Sequence, residues 1–184
     1  MSAPLIQARR VRHPGASRFG RVLTAVGEHS RQALGFIQPG ETIQGGVERL
    51  FLEMGATAGG FRLIGGRLAQ AYYHVAGPRS DSARAVEYGA AIAIDGEALV
   101  VAASGSFGPS VDGKPLLHLH GALADAQGRG HGGHLNVERC IAGAGGVHVH
   151  LMAGSGFRQA ADPETRFSTF FPVSELNDAP YEPH

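Results

Sequence analysis

The sequence predicts an α+β domain, mainly an antiparallel β-sheet with one principal packed amphipathic helix. Three observations carry that prediction. A single segment has helical periodicity, a series of short apolar runs follows it, and glycine and turn residues punctuate those runs. At 184 residues the chain has the size of one ordinary domain and can bury most of a core, so no second independent domain is required. Residues 1–33 read as an arginine-rich N-terminal extension, 34–174 as the folded domain and 175–184 as a tail.

The extension opens with Arg9, Arg10, Arg12, Arg18 and Arg21 and no acidic residue before position 22. It is either a solvated extension or an arm that touches nucleic-acid phosphates or a neighbouring subunit; no aromatic interleaving or DNA-binding pattern accompanies it. The first 18 residues hold no continuous apolar core for a secretory signal, and no later stretch has the roughly 18 apolar residues of a spanning helix. A cytoplasmic protein is the default expectation, without membrane contact. The 16 basic and 16 acidic residues balance, which argues against a surface built as a whole to attract nucleic acid or anionic lipid. A single cysteine, Cys140, excludes an intrachain disulfide framework and is expected as a buried, inert thiol.

From Pro39-Gly40-Glu41 onward, Ile43, Val47, Leu50, Phe51 and Met54 fall on one face of a helix that Gly55 ends. The internal pair Gly45-Gly46 costs about 1 kcal/mol each relative to alanine. Either close packing compensates there or the helix begins later. After residue 58 the runs 60–64, 67–76, 85–94, 97–106, 116–124, 129–137, 145–152 and 166–171 read as consecutive antiparallel strands. Gly77-Pro78 and the polar run Arg79-Ser80-Asp81-Ser82 mark a loop, and Asp95-Gly96 sits between apolar runs in the manner of a tight hairpin. The segment from Asn177 to His184 has no periodic apolar pattern and reads as a loose terminus or a strap across a neighbour. The 28 glycines are about twice the usual share and serve mainly turns and bulges.

The chemistry of the chain concentrates in its histidines. In the run from Leu116 to Ala124, strand alternation puts His118 and His120 on one face and Leu117, Leu119 and Leu123 on the other. Asp125-Ala126-Gln127-Gly128 suits a type I turn followed by a glycine bulge. If Asp125 pairs with Arg129, His134 lies across from His120, about 5 Å away between Cβ atoms, with His118 on the diagonal. His131 then points to the opposite face, unless a further bulge at Gly132-Gly133 reverses it. Three convergent imidazoles with no fourth protein ligand form a zinc-type site with an open position for water or substrate, although nickel, cobalt, iron or manganese suits the same donors. The alternative is that the three histidines hydrogen-bond ordinary backbone or carboxylate groups. A second pair, His148 and His150, shares one strand face but has no third partner by turn geometry. It suits a polar sheet face or a subunit contact, and either residue could serve as an extra ligand.

The motif Leu117-His118-Leu119-His120, the turn through Asp125 and Gly128-Arg129, and Gly132-Gly133-His134-Leu135 together resemble the PPC domain of plants and prokaryotes, also called DUF296. Pro39-Gly40-Glu41 is similar to that family's opening, and Gly156-Phe157 with Asp162-Pro163-Glu164-Thr165 to its closing turn, so the resemblance covers about 35 to 173. It implies an antiparallel sheet with a packed helix, a homotrimer, zinc on the three matching histidines, and the family label of predicted DNA-binding protein. The AT-hook that precedes the domain in plant members has no counterpart here; Gly128-Arg129-Gly130 lies inside the predicted hairpin turn.

The fold is also similar to that of acetolactate decarboxylase, whose metal is held by three histidines. That analogy implies a zinc-dependent lyase or isomerase acting on a small keto or hydroxy acid. No acid or base is fixed near the histidines by spacing: Glu138 would share the face of His134 about 13 Å along the strand, and Arg129 and Glu87 read as surface or interface charges. Three classes follow in order: a metal-containing binding or regulatory module, a metal-dependent enzyme on a small carbonyl or carboxylate compound, and a DNA-associated protein.

Overall fold

The computed structural model describes residues 13–16, 29–78, 84–110, 112–154 and 157–172. In chain order the elements are β1 (Arg31–Ile37), α1 (Ile43–Glu53), β2 (Gly59–His74), β3 (Ala76–Pro78), β4 (Val86–Tyr88), β5 (Ile92–Ile94), β6 (Ala98–Pro109), β7 (Pro115–Asp125), β8 (Gly130–Leu135), β9 (Ile141–Ala153), β10 (Phe157–Ala161) and β11 (Ser168–Pro172). All strand pairings are antiparallel, as the short runs and turn residues predict.

The main sheet runs β1-β9-β2-β6-β7-β8, with β5 also on β2. It curls until β8 meets the far end of β2, where His74 pairs with His134. Two small hairpins, β3-β4 and β10-β11, stand off this sheet. Its inner face and α1 close one core, which includes Ile37, Phe61, Leu63, Leu119, Val149 and Leu151, each at most 1% exposed. Removing these apolar side chains from water is the main drive for the curl.

The helix starts at Ile43, capped by the Thr42 hydroxyl, which accepts the Gly45 N–H at 3.0 Å. Such a cap is worth about 1 kcal/mol. The helix does not start later, and close packing accounts for Gly46, where a Cβ would lie 2.5 Å from Ile37 Cγ2, while Gly45 is exposed and gives its N–H to the Thr42 cap. Met54 is the C-cap and Gly55, at φ +61°, turns the chain away. The buried face is Ile43, Gly46, Val47, Leu50 and Phe51, and Phe51 stacks on Phe107 with centroids 4.7 Å apart.

Several boundaries differ from the sequence reading. The runs 60–64 and 67–76 are one strand, because Gly65 and Gly66 at φ +155° and +116° bend β2 by register shifts without breaking it. Asp95-Gly96 is not a hairpin turn. Strands β5 and β6 both pair with the same edge of β2, Ile94 opposite Ala71 and Ala98 opposite Leu68, so the two residues are a kink between collinear strands. The run 85–94 splits into β4 and β5, which pair with β3 and β2 respectively. Gly77-Pro78 belongs to β3, while 79–82 lie outside the described residues. Strand β8 stops at Leu135, and Val137 to Arg139 form a turn. Strands β1 and β10 were not expected; β1 has one buried residue, Ile37, at its end, and so carries no alternating signature. Arg9, Arg10, Arg12, Arg18 and Arg21 lie outside the described residues, as does the segment 177–184, while Arg31 opens β1. Cys140 is buried and free.

Candidate metal centre

The β7-β8 hairpin is built as its sequence dictates. The Gly128 N–H donates to the Asp125 carbonyl at 2.9 Å, Gly128 takes φ +75°, and the Asp125 N–H donates to Arg129 O at 3.1 Å. That turn sets the register, with His120 opposite His134. The buried Leu117, Leu119 and Leu123 hold one face of β7 inward and so turn His118 and His120 outward. Ring centroids stand 4.8 Å apart for His118 and His120, 4.7 Å for His118 and His134, and 5.2 Å for His120 and His134.

One ring nitrogen from each of the three lies within 4.8 Å of the others. Nitrogens bound tetrahedrally at about 2.0–2.1 Å would be about 3.4 Å apart, so small rotations of the rings suffice to close on an ion. His134 Nδ1 is buried and has no hydrogen-bond partner, the condition of a donor atom that lacks its ligand. Burial, reinforced by the neighbouring imidazoles of His118, His120 and His74, pushes His134 down to about 4; burial and then His120 lower His118. Both rings are therefore neutral near pH 7, the state in which imidazole binds metal. On the donor chemistry, the residues fit a divalent transition metal.

The remaining sequence candidates stand elsewhere. His131, opposite Leu123, faces the core side as alternation requires, where its Nε2 lies 3.1 Å from Asp125 Oδ2 and its Nδ1 3.4 Å from the Tyr73 hydroxyl. Arg129 is tied to the same carboxylate at 2.6 Å. His148 packs edge-on against Phe36 at 5.1 Å and His150 meets Gln32 at 3.1 Å. His150 lies in the same cross-sheet row as His120 but three strands away through Arg62 and Ser104, about 14 Å at normal strand spacing, so it does not join the trio within one chain. Glu138 has left the strand at the turn after β8 and does not share the face of His134. Glu87 is exposed and, by alternation, turns away from the side of β4 that carries Val86 and Tyr88.

Sequence reasoning missed the residues that surround the trio, because long-range pairing delivers them. Tyr88 stacks on His134 at 4.5 Å, and burial pushes its phenol up. His74, beside His134, already uses both nitrogens: Nδ1–H donates to the Gly89 carbonyl at 2.8 Å, leaving Nε2 to accept from Asn136 at 3.3 Å. Ser106 sits across from His118 on β6 and accepts the Gln159 side-chain N–H at 2.9 Å. A cavity of about 430 Å³ lies between the β3-β4 and β10-β11 hairpins, with His118, Ser106, Gln159 and Tyr88 among its lining residues.

A family model described as the Plants and Prokaryotes Conserved (PCC) domain matches residues 24–152. Similar solved structures include a plant- and prokaryote-conserved (PPC) protein of Pyrococcus horikoshii, at TM-score 0.65 and 18% identity over 83% of this chain and 99% of that one. A metal-containing protein of Archaeoglobus fulgidus matches at TM-score 0.65 and 19% identity, over 82% and 99% of the two chains. A protein of Ralstonia eutropha JMP134 described as a "putative DNA-binding protein" matches at 0.61 and 19%, over 75% and 89%. No curated protein matches the chain.

Proposed function

The chain belongs to the Plants and Prokaryotes Conserved domain family, and from that premise we propose that it is a metal-containing binding or regulatory module in which His118, His120 and His134 hold one zinc ion. The observation that carries this reading is the buried, partnerless Nδ1 of His134 inside a cluster of converging imidazoles. An ordinary structural histidine would spend that nitrogen on a hydrogen bond, as His131 and His74 do.

When bound, zinc would supply a Lewis-acidic position open to an oxygen or nitrogen donor. The protein's own residues set the terms of that position. Tyr88 stacks on His134, His120 is exposed, and the hairpin turn sets the register of His120 opposite His134. The description of the Archaeoglobus fulgidus relative as metal-containing supports the same reading.

Elemental analysis tests it. Wild-type protein should carry about one zinc per chain, and His118→Ala and His134→Ala should each lose it; metal-free wild type after reconstitution with zinc sinks the proposal. The second reading, a zinc-dependent lyase or isomerase on a small keto or hydroxy acid, draws support from the cavity beside His118. The lining residues described there include no Asp or Glu, so an acid–base step would fall to His13 or Tyr88.

Two partners belong to the same proposal. The homotrimer is what the family resemblance implies, and exposed Leu99 and Val101 on β6, at 46% and 59% exposure, offer apolar surface for such a contact; sedimentation equilibrium would measure it. Duplex DNA is the other partner, with the arginines of residues 1–21 as its candidate contacts; salt-dependent binding that disappears on deleting them would support it. No helix among the described residues is long and apolar enough to cross a membrane.

A further inference from the structure

The cavity beside His118 is lined partly by apolar side chains and partly by neutral hydroxyls, among them those of Thr165, Ser168 and Thr169. Its apolar lining comes from Val86 and Tyr88 on one hairpin and from Phe167 and Phe170 on the other side. Its floor is polar but neutral: His118 and, directly across the strand pair, Ser106. Gln159, only 4% exposed, donates to Ser106 Oγ at 2.9 Å and so leaves the serine O–H to donate in turn. A buried amide spent on orienting one hydroxyl at the edge of a cavity is a feature of a built polar subsite.

Charge limits what can enter. The described lining residues include no Asp, Glu, Lys or Arg, and apart from His118 the one other titratable imidazole is His13 at the rim. Three neutral imidazoles leave the positive charge of a divalent ion uncompensated, so a single negative charge at the His118 end is favoured. A second negative charge, as on a phosphate, would find no cationic side chain among the described lining residues, the Arg84 guanidinium being placed over the Phe167 ring 4.8 Å from its centroid, and a cationic ligand would find no carboxylate among them.

We propose that this cavity binds a small monocarboxylate with an apolar, ring-sized tail, its carboxylate at the His118 and Ser106 end and its tail between Val86, Tyr88, Phe167 and Phe170. The assignment rests on the three-histidine metal reading and adds to it the class of ligand. Ser106 and Gln159 act as the specificity residues for the acid, and the aromatic walls act as those for the tail.

The test uses the full chain loaded with cobalt(II), whose visible absorption reports a change in coordination, together with calorimetric titration. The probes are 3-phenylpropanoate, propanoate and inorganic phosphate. We expect 3-phenylpropanoate to change the cobalt spectrum and to bind about tenfold or more tighter than propanoate, as burial of a phenyl group requires, with phosphate weaker than 3-phenylpropanoate. Phe170→Ala should abolish the preference for the phenyl acid, and Ser106→Ala should weaken both acids alike by several-fold. If Phe170→Ala does not fold, Val86→Trp, which fills the cavity from the opposite wall, should block the phenyl acid and spare propanoate. Equal affinity for the two acids, tighter binding of phosphate, or a phenyl preference that survives both wall variants overturns the proposal. Failure to take up cobalt at all would instead remove the metal reading beneath it.

Discussion

The two faces of the β7-β8 hairpin carry the same kinds of polar residue and treat them in opposite ways. On the core side Asp125, whose side chain is 1% exposed, accepts from the Gln127 and Arg129 backbone N–H groups at 2.9 Å, and its carboxylate also contacts Arg129 Nε at 2.6 Å and His131 Nε2 at 3.1 Å. Burial opposes its ionisation, but these donors outweigh it and hold the carboxyl well below the usual carboxylate range. On the outer side three imidazoles converge and one buried nitrogen has no partner. The carboxylate that closes the turn is satisfied by the fold, whereas the buried Nδ1 of His134 is left without a hydrogen-bond partner, as the proposed metal ligation requires. The difference separates His131 from His134, three residues away in sequence.

The sharpest way to break this contrast is to remove each face in turn from the metal-free protein. Asp125→Ala strips the acceptor from several donors at once and should produce the largest fall in Tm of any single change in the hairpin, whether or not zinc is present. His134→Ala should cost the metal-free chain only about 0.5–1.5 kcal/mol, the worth of its stack on Tyr88, because no hydrogen bond of its buried Nδ1 is lost. Differential scanning calorimetry of both variants decides it; a larger loss from His134→Ala would make that histidine structural.

Zinc should then reverse the ranking. With free zinc at 100 times its dissociation constant, the wild type should gain about 2.7 kcal/mol and Asp125→Ala should gain by a similar amount. His134→Ala should gain almost nothing. Equal stabilisation of all three chains would point to metal binding elsewhere.

Acid separates the faces by pH. A histidine lowered to about 4 when folded, against about 6.5 when unfolded, makes the unfolded chain bind more protons in that interval, so metal-free stability falls as pH drops from about 6.5 toward 4. A carboxyl depressed by folding contributes stability above its unfolded value near 3.9, which is lost only below that. His134→Ala should remove much of the upper slope and leave the lower one, in unfolding curves recorded at a series of pH values. The smallest expected effect is that of Tyr88→Leu, which takes an aromatic ring off His134 and should lower the Tm of the metal-free protein by a few degrees, in line with about 0.5–1.5 kcal/mol for such a pair.

The hairpin was legible in the sequence because its determinants are local. Alternation fixes the face of His118 and His120, and Asp125 with Gly128 fixes the turn, hence the register that brings His134 across. The helix was legible for the same reason, down to the choice between packing and a later start that Ile37 resolves. What surrounds the site was not legible. Tyr88 reaches His134 through the β3-β4 hairpin, and Gln159 reaches Ser106 across 53 residues, and no spacing rule encodes either contact. Asp95-Gly96 misled because a glycine turn signal describes a local bend and does not say whether the flanking strands pair with each other or with a common third strand.

The most direct test of the contrast between the two faces is X-ray absorption at the zinc edge of the loaded wild-type protein. The account predicts a first shell of nitrogen and oxygen at about 2.0–2.1 Å with outer-shell scattering from three imidazole rings. A shell with sulfur near 2.3 Å, or one of oxygens without imidazole scattering, would place the metal away from His118, His120 and His134 and contradict it.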